Sequence, residues 1–185
     1  MAETPSTRVL PIASYAPEFE LPDAHGQLFT LDDVRGPRGL LVMFVCNHCP
    51  FVVHLAEALS AFAKEVDGLG IGVVAINSND TQNYPADAPD KMIEFSAKYD
   101  WAFPYLFDED QSVAKSYVAA CTPDFYLFDG ELKLVYCGQF DASRPRNSEP
   151  VTGADMRTAV TRMLANEGPL ENQRPSTGCG IKWKV

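Results

Sequence analysis

The chain predicts an α/β domain: a mixed central β-sheet flanked by helices, with an added β-hairpin near the N-terminus. Three observations carry that prediction. The runs Leu40-Leu41-Val42-Met43-Phe44-Val45 and Ile71-Gly72-Val73-Val74-Ala75-Ile76-Asn77 are apolar on both faces, as buried parallel strands require. Between them Phe51, Leu55, Leu59, Phe62 and Val66 recur at helical spacing, so strand, helix and strand form a right-handed crossover. Farther on, two alternating runs flank Asp129-Gly130, the turn signal of an antiparallel hairpin.

The remaining elements follow in order. Residues 16–23 and 28–31 alternate around a Gly turn and predict the N-terminal hairpin. Residues 78–89, with two prolines and several Asp and Asn, predict a loop that could serve as a lid. A helix is expected from Asp90, carrying Met92, Phe95 and Tyr99. A short strand follows at 105–107, then a short helix at 113–118. Thr152-Gly153-Ala154-Asp155 resembles a capping box that opens a helix through Met156, Val160 and Leu164. The 185 residues suit one compact domain. Residues 1–13 are expected to be a flexible N-terminus, 14–168 the domain, and 169–185 a C-terminal tail.

Composition narrows the function. The net charge is −10, which argues against nucleic acid and anionic membrane as partners, since both select basic patches. No secretory signal pattern opens the chain, and no apolar run is long enough to span a bilayer. Five cysteines are an odd number and too scattered for a disulfide framework, so a cytoplasmic protein is expected. No Gly-rich nucleotide loop is visible, and no cofactor is expected; electrons must come from another thiol.

The chemistry concentrates in Cys46-Asn47-His48-Cys49, where the first buried strand hands over to its helix. Pro50 is tolerated only in a first turn, so the helix is expected to begin near Cys46 or Asn47. Unpaired amides and the helix dipole there stabilise a thiolate, and a second thiol one turn on can attack a mixed disulfide. Cys46 is then the expected nucleophile and Cys49 the resolving thiol. His48 is expected to tune the pair by donating to, or pairing with, the Cys46 thiolate.

These residues resemble the thioredoxin-like superfamily, in the branch of the alkyl hydroperoxide reductase/thiol-specific antioxidant (peroxiredoxin-like) proteins, over roughly residues 14–167. The likeness rests on Ala16-Pro17-Glu18-Phe19-Glu20-Leu21, on the Cys-X-X-Cys strand end, and on Thr122-Pro123-Asp124-Phe125-Tyr126-Leu127-Phe128-Asp129. The resemblance implies a thioredoxin-like fold and a cis proline at Pro123 facing the cysteines. It also implies a substrate-binding role for Thr122, whose main chain would hydrogen-bond a substrate peptide.

Two departures keep a second reading open. Peroxiredoxins carry Pro-X-X-X-Thr-X-X-Cys. Aligning their attacking cysteine with Cys49 puts Val42 in place of the Pro and Cys46 in place of the Thr, and the partner Arg is not placed. Thioredoxins carry a buried acid beneath the pair, and residues 40–45 hold none. Thiol–disulfide exchange is the first expectation. The alternative is a thiol peroxidase in which Cys49 takes the oxygen and Cys46 resolves it. Cys121, two residues before Pro123, and Cys179, in the Gly-flanked tail, are candidates for further redox thiols, and Cys137 for a core residue. One Cys-X-X-Cys supplies two of the four ligands a structural zinc needs, so no metal site is expected. A metal-binding or non-catalytic scaffold role is the remaining alternative.

Overall fold

The computed structural model describes residues 3–6 and 10–185. The expected flexible N-terminus therefore lies partly outside the described residues. The elements run β1 (Glu3–Pro5), β2 (Glu20–Pro22), β3 (Leu28–Thr30), α1 (Leu31–Val34), β4 (Gly39–Phe44), α2 (Pro50–Asp67) and β5 (Ile71–Asn77). They continue with a 3-10 turn (Pro85–Asp87), α3 (Pro89–Tyr99), β6 (Tyr105–Phe107), α4 (Ser112–Ser116), β7 (Cys121–Thr122), β8 (Asp124–Asp129), β9 (Leu134–Gly138), α5 (Ala154–Leu164) and β10 (Thr177–Gly180).

The central sheet is mixed. β8 pairs antiparallel with both β4 and β9, and β5 pairs parallel with β6. The Val45 amide donates to the Ile76 carbonyl at 2.9 Å and joins the two sets at the strand ends. All six residues of β4 are buried, which is why they read as apolar on both faces. One face packs Leu41, Met43, Phe125 and Leu127 against the apolar stripe of α2, namely Val52, Leu55, Leu59, Phe62 and Val66. The other packs Leu40, Val42, Phe44, Tyr126 and Phe128 with Tyr117 and the N-terminal residues Ala16 and Phe19. The site therefore stands on a support with apolar layers on both sides. β2 and β3 form the expected hairpin.

Three local expectations change. The capping box occurs at Thr30 and Asp33, opening α1. At α5 Gly153 is the N-cap in the left-handed region; Asp141 Oδ2, in place of Thr152, accepts the amides of Thr152 and Gly153 at 2.7 and 2.6 Å. The residues expected as a tail form β10, paired antiparallel on one side with β1 and on the other with β7. A four-residue, Gly-flanked strand lacks the period-2 apolar pattern that marks a strand in sequence, because main-chain pairing on both edges holds it. Gly178 shows how close that pairing is: a Cβ there would lie 2.0 Å from the Thr122 carbonyl oxygen.

Candidate active site

α2 begins at Pro50, and Cys49 is its N-cap; Cys46 lies three residues before that N-cap. This corrects the expected start near Cys46 and moves the electropositive end of an 18-residue helix onto Cys49. Pro50 at the first helical position enforces that start, since its fixed φ suits the turn and it has no amide to leave unpaired.

The two sulfurs differ in kind. Cys49 is drawn down to about 5, first because the Cys46 thiol donates to its sulfur; burial opposes this, and the Cys179 thiol and the amides of Val52 and Cys179 add to it. Cys46 is pushed well up by the same contact with Cys49, then by burial and by the Asp87 charge. The anion of the pair therefore sits on Cys49, where helix amides point, and the proton on Cys46, beside a carboxylate. The opposing group is the Thr122 carbonyl, 3.1 Å from Cys49 Sγ, which accepts its S–H when Cys49 is neutral. The Thr122 hydroxyl lies 3.4 Å from Cys46 Sγ. Thr122–Pro123 is a cis peptide, so Thr122 touches both sulfurs, one through its side chain and one through its main chain.

His48 does not act alone. Its Nδ1 lies 2.6 Å from Asp87 Oδ2, and Tyr84 stacks on its ring at 6.0 Å between centroids. Asp87 is buried and its carboxylate accepts four hydrogen bonds in all, from the amides of Asn47 and His48, from His48 Nδ1 and from Asn79 Nδ2. The Asp87 hydrogen bond raises the His48 pKa. Burial pushes Asp87 up, but its bonds to His48 and Asn79 outweigh this and hold it below the ordinary value. The loop at 78–89 is thus tied to the cysteine pair. Asp87 was missed because in sequence it is one acid in a Pro-flanked loop; the bracketing Pro85 and Pro89 were the available hint.

Replacing Asp87 by Asn should lower the His48 pKa, read by NMR titration of its ring. The sign of the stability change follows from both partners. Protonated His48 stabilises the fold below its unfolded pKa of about 6.5, and that contribution fades as pH rises through the raised folded value. Ionised Asp87 stabilises above its unfolded pKa of about 3.9. The gap in Tm between the two proteins should be widest between those values and narrow in alkali; a gap constant with pH would show that the pair is not ionic.

The other candidates separate clearly. Cys179, on β10, is in register with Thr122, and both its thiol and its amide reach Cys49. Cys121 donates to the Pro123 carbonyl at 3.6 Å, and burial followed by the Asp124 charge pushes its thiol far up, so it stays protonated. Cys137 is buried in the opposite core layer. A buried acid does exist near the pair, but on the neighbouring strand: Asp124 stands opposite Phe44 in register, with a pKa raised to about 6 chiefly by burial. Its Oδ2 accepts from Ser6, Tyr126 and Ala120, so it belongs to the second core layer and to the N-terminal strand. Among the described residues, Cys46, His48 and Asp87 bring three metal-ligand atoms within 4.8 Å of one another. Both Asp87 oxygens are already committed to N–H donors, so a cation would have to break that network.

β10 already pairs with β7, so the main chain that would receive a substrate peptide is occupied by this chain's own strand. Cys46 and Cys49 are 1% and 0% exposed, which leaves a large disulfide partner no direct approach.

A mixed sheet, a cysteine pair at the head of the first long helix and a cis Thr-Pro against both sulfurs define a thioredoxin-like protein. Residues 12–137 match the AhpC/TSA family, and the chain belongs to that family. A hypothetical protein from Sinorhizobium meliloti 1021 shares 49% identity with a TM-score of 0.95, covering 98% of this chain and 99% of its own. The Haemophilus influenzae protein named as a peroxiredoxin, bcp, is 29% identical over 58% of this chain and 64% of its own length, a little under two thirds. The thioredoxin domain of a thiol-disulfide oxidoreductase from Bacteroides vulgatus shares the fold at 19% identity, with a TM-score of 0.59 over 70% of this chain and 89% of its own. No helix among the described residues is long and apolar enough to cross a membrane.

Proposed function

We propose that the protein is a thiol-dependent reductase of small hydroperoxides in which Cys49 attacks and Cys46 resolves. The observation that carries this is the Cys49 sulfur at the α2 N-terminus, with the Cys46 thiol donating to it. The order of roles is the reverse of the one the motif suggested. The Cys49 thiolate attacks the nearer peroxide oxygen: an S–O bond forms, the O–O bond breaks, and the alcohol leaves with the proton of Cys46. The Cys46 thiolate then attacks Cys49 sulfenic acid, forming the disulfide and expelling hydroxide, which solvent protonates to water. Cys46 occupies the position of the peroxiredoxin Thr and supplies the hydrogen bond that the hydroxyl would.

Closure of the site favours a small oxidant over a protein disulfide. A second reading, exchange with a small thiol or disulfide, is favoured by the cis Thr122–Pro123 against a Cys-X-X-Cys pair. In either case a thiol donor reduces the disulfide. The donor and a cytoplasmic location are part of the proposal; the free thiols of Cys46, Cys49, Cys121 and Cys179 suit a reducing compartment.

The Cys46→Ser protein, treated with hydrogen peroxide and a sulfenic-acid trap, should be oxidised at Cys49, found either as the trapped sulfenic acid or as a bond to Cys179. A mixed disulfide that instead accumulates through Cys46 in the Cys49→Ser protein, with no sulfenic label, selects the exchange reading. Alkylation of Cys49 across pH should show a midpoint near 5. A midpoint in the ordinary range of about 8.5 would remove the basis for Cys49 as nucleophile.

A further inference from the structure

We propose that Cys179 is a second, built-in resolving thiol for Cys49, carried on a strand that stands where a substrate peptide would pair. The inference deepens the peroxidase reading and rests on it for the oxidation of Cys49. β10 faces the cis peptide: Cys179 is opposite Thr122 and Gly180 opposite Cys121. In thioredoxin-like folds that edge receives the substrate strand, so Cys179 stands at the position of a substrate's own cysteine. The carbonyl of Thr122 that touches Cys49 belongs to the residue in register with Cys179, and the Cys179 thiol and amide both reach the Cys49 sulfur. The strand is seated firmly. β1 covers its other edge, the Ser176 hydroxyl donates to the Gly138 carbonyl at 2.8 Å, and the Ser6 amide to the Ser176 carbonyl at 2.8 Å.

The resting state keeps Cys179 unreactive. Burial first, then the hydrogen bond and charge of Cys49, push its thiol up to about 12. Oxidation of Cys49 removes that charge, while Lys182 continues to favour the Cys179 thiolate. Oxidation of Cys49 therefore removes two of the causes that hold the Cys179 proton, and burial remains the third. Cys179 attacks Cys49 sulfenic acid: an S–S bond forms, the S–O bond breaks, and hydroxide leaves with the Cys179 proton as water. No outside reductant is needed for that step. By the same approach the Cys179 thiolate can attack Cys49 in a Cys46–Cys49 disulfide, releasing Cys46 as a thiolate. The oxidised protein then carries one disulfide that exchanges between two pairings, Cys46–Cys49 and Cys49–Cys179, the second of which pins β10 to the head of α2.

The test uses the full chain, wild type and Cys46→Ser, each oxidised in parallel with hydrogen peroxide and with diamide. The N=N bond of diamide takes both electrons and both protons of a thiol pair. After acid quenching, alkylation and digestion, a Cys49–Cys179 linked peptide is expected from both oxidants, and in most molecules of the variant. Wild type is mapped alongside, so the outcome does not hang on the variant folding. Absence of that peptide from both proteins under both oxidants, with Cys179 fully alkylated, overturns the inference. The linked peptide from diamide, with no oxidation of Cys49 by peroxide, retains the third thiol and rejects the peroxidase reading.

Discussion

Replacing Cys49 by serine should abolish peroxide turnover, by on the order of 10³-fold or more, as when an enzyme loses its nucleophile. Replacing Cys46 by serine should slow the first oxidation step without abolishing it, because the hydroxyl is a weaker donor to Cys49 and the leaving alcohol then takes its proton from solvent. The asymmetry comes from where α2 begins. With Cys49 as N-cap, its sulfur receives the Val52 amide, and the thiol of Cys46 adds a charge-assisted bond. Cys46 has no helix amide and faces the Asp87 carboxylate, which penalises its own anion. A serine hydroxyl at 49 would have a pKa far too high for ionisation by these dipoles, so its oxygen would stay neutral and unreactive. At 46 a serine keeps a hydroxyl donor to Cys49 but removes the resolving sulfur and the more acidic thiol proton. Single-turnover peroxide consumption, followed by mass spectrometry, separates the two: Cys46→Ser should consume about one equivalent and carry it as sulfenic acid or as a bond to Cys179. A burst retained by Cys49→Ser and lost by Cys46→Ser would restore the order of roles that the motif alone suggested.

That reversal shows what sequence could convey here. Apolar runs at 71–77 and 105–107, and the helix from Pro50, lie where periodicity placed them, because strands buried on both faces and a two-sided helix announce themselves locally. The cysteines, Thr122 and Pro123 were also legible as one cluster, through the family pattern in which they occur. Three features were not, and each depends on a contact that no local pattern records. The helix start turned on which Cys-X-X-Cys residue Pro50 leaves at the N-cap, and a shift of three residues there interchanges the two thiols. Asp87 reaches His48 across 39 residues from a loop whose composition signals only a turn. The strand carrying Cys179 is short, small and polar, so nothing in it predicts that it closes over Thr122.

That closing strand makes Gly178→Ala a large expected structural effect for a single methyl group. The added Cβ would lie 2.0 Å from the Thr122 oxygen, 2.6 Å from its carbonyl carbon and 3.1 Å from Pro123 Cδ. All three are main-chain or ring atoms that cannot rotate aside, unlike the end of a flexible side chain, so β10 must lift or β7 must move. The cost should be about 3 kcal/mol, in the range for strain forced into a packed interior. In a chain of this size that corresponds to a fall in Tm of about 10 °C. Loss of the register would also uncover Cys49 and separate it from Cys179, so a bulky maleimide should label Cys49 faster in the variant than in the parent. The Cys49–Cys179 link under diamide should weaken at the same time. Gly168→Ala is the control, because a Cβ there meets nothing within 4 Å, and it should leave the labelling rate unchanged. If Gly178→Ala melts with the parent and labels no faster, β10 does not hold the site closed, and a protein disulfide regains access to Cys49.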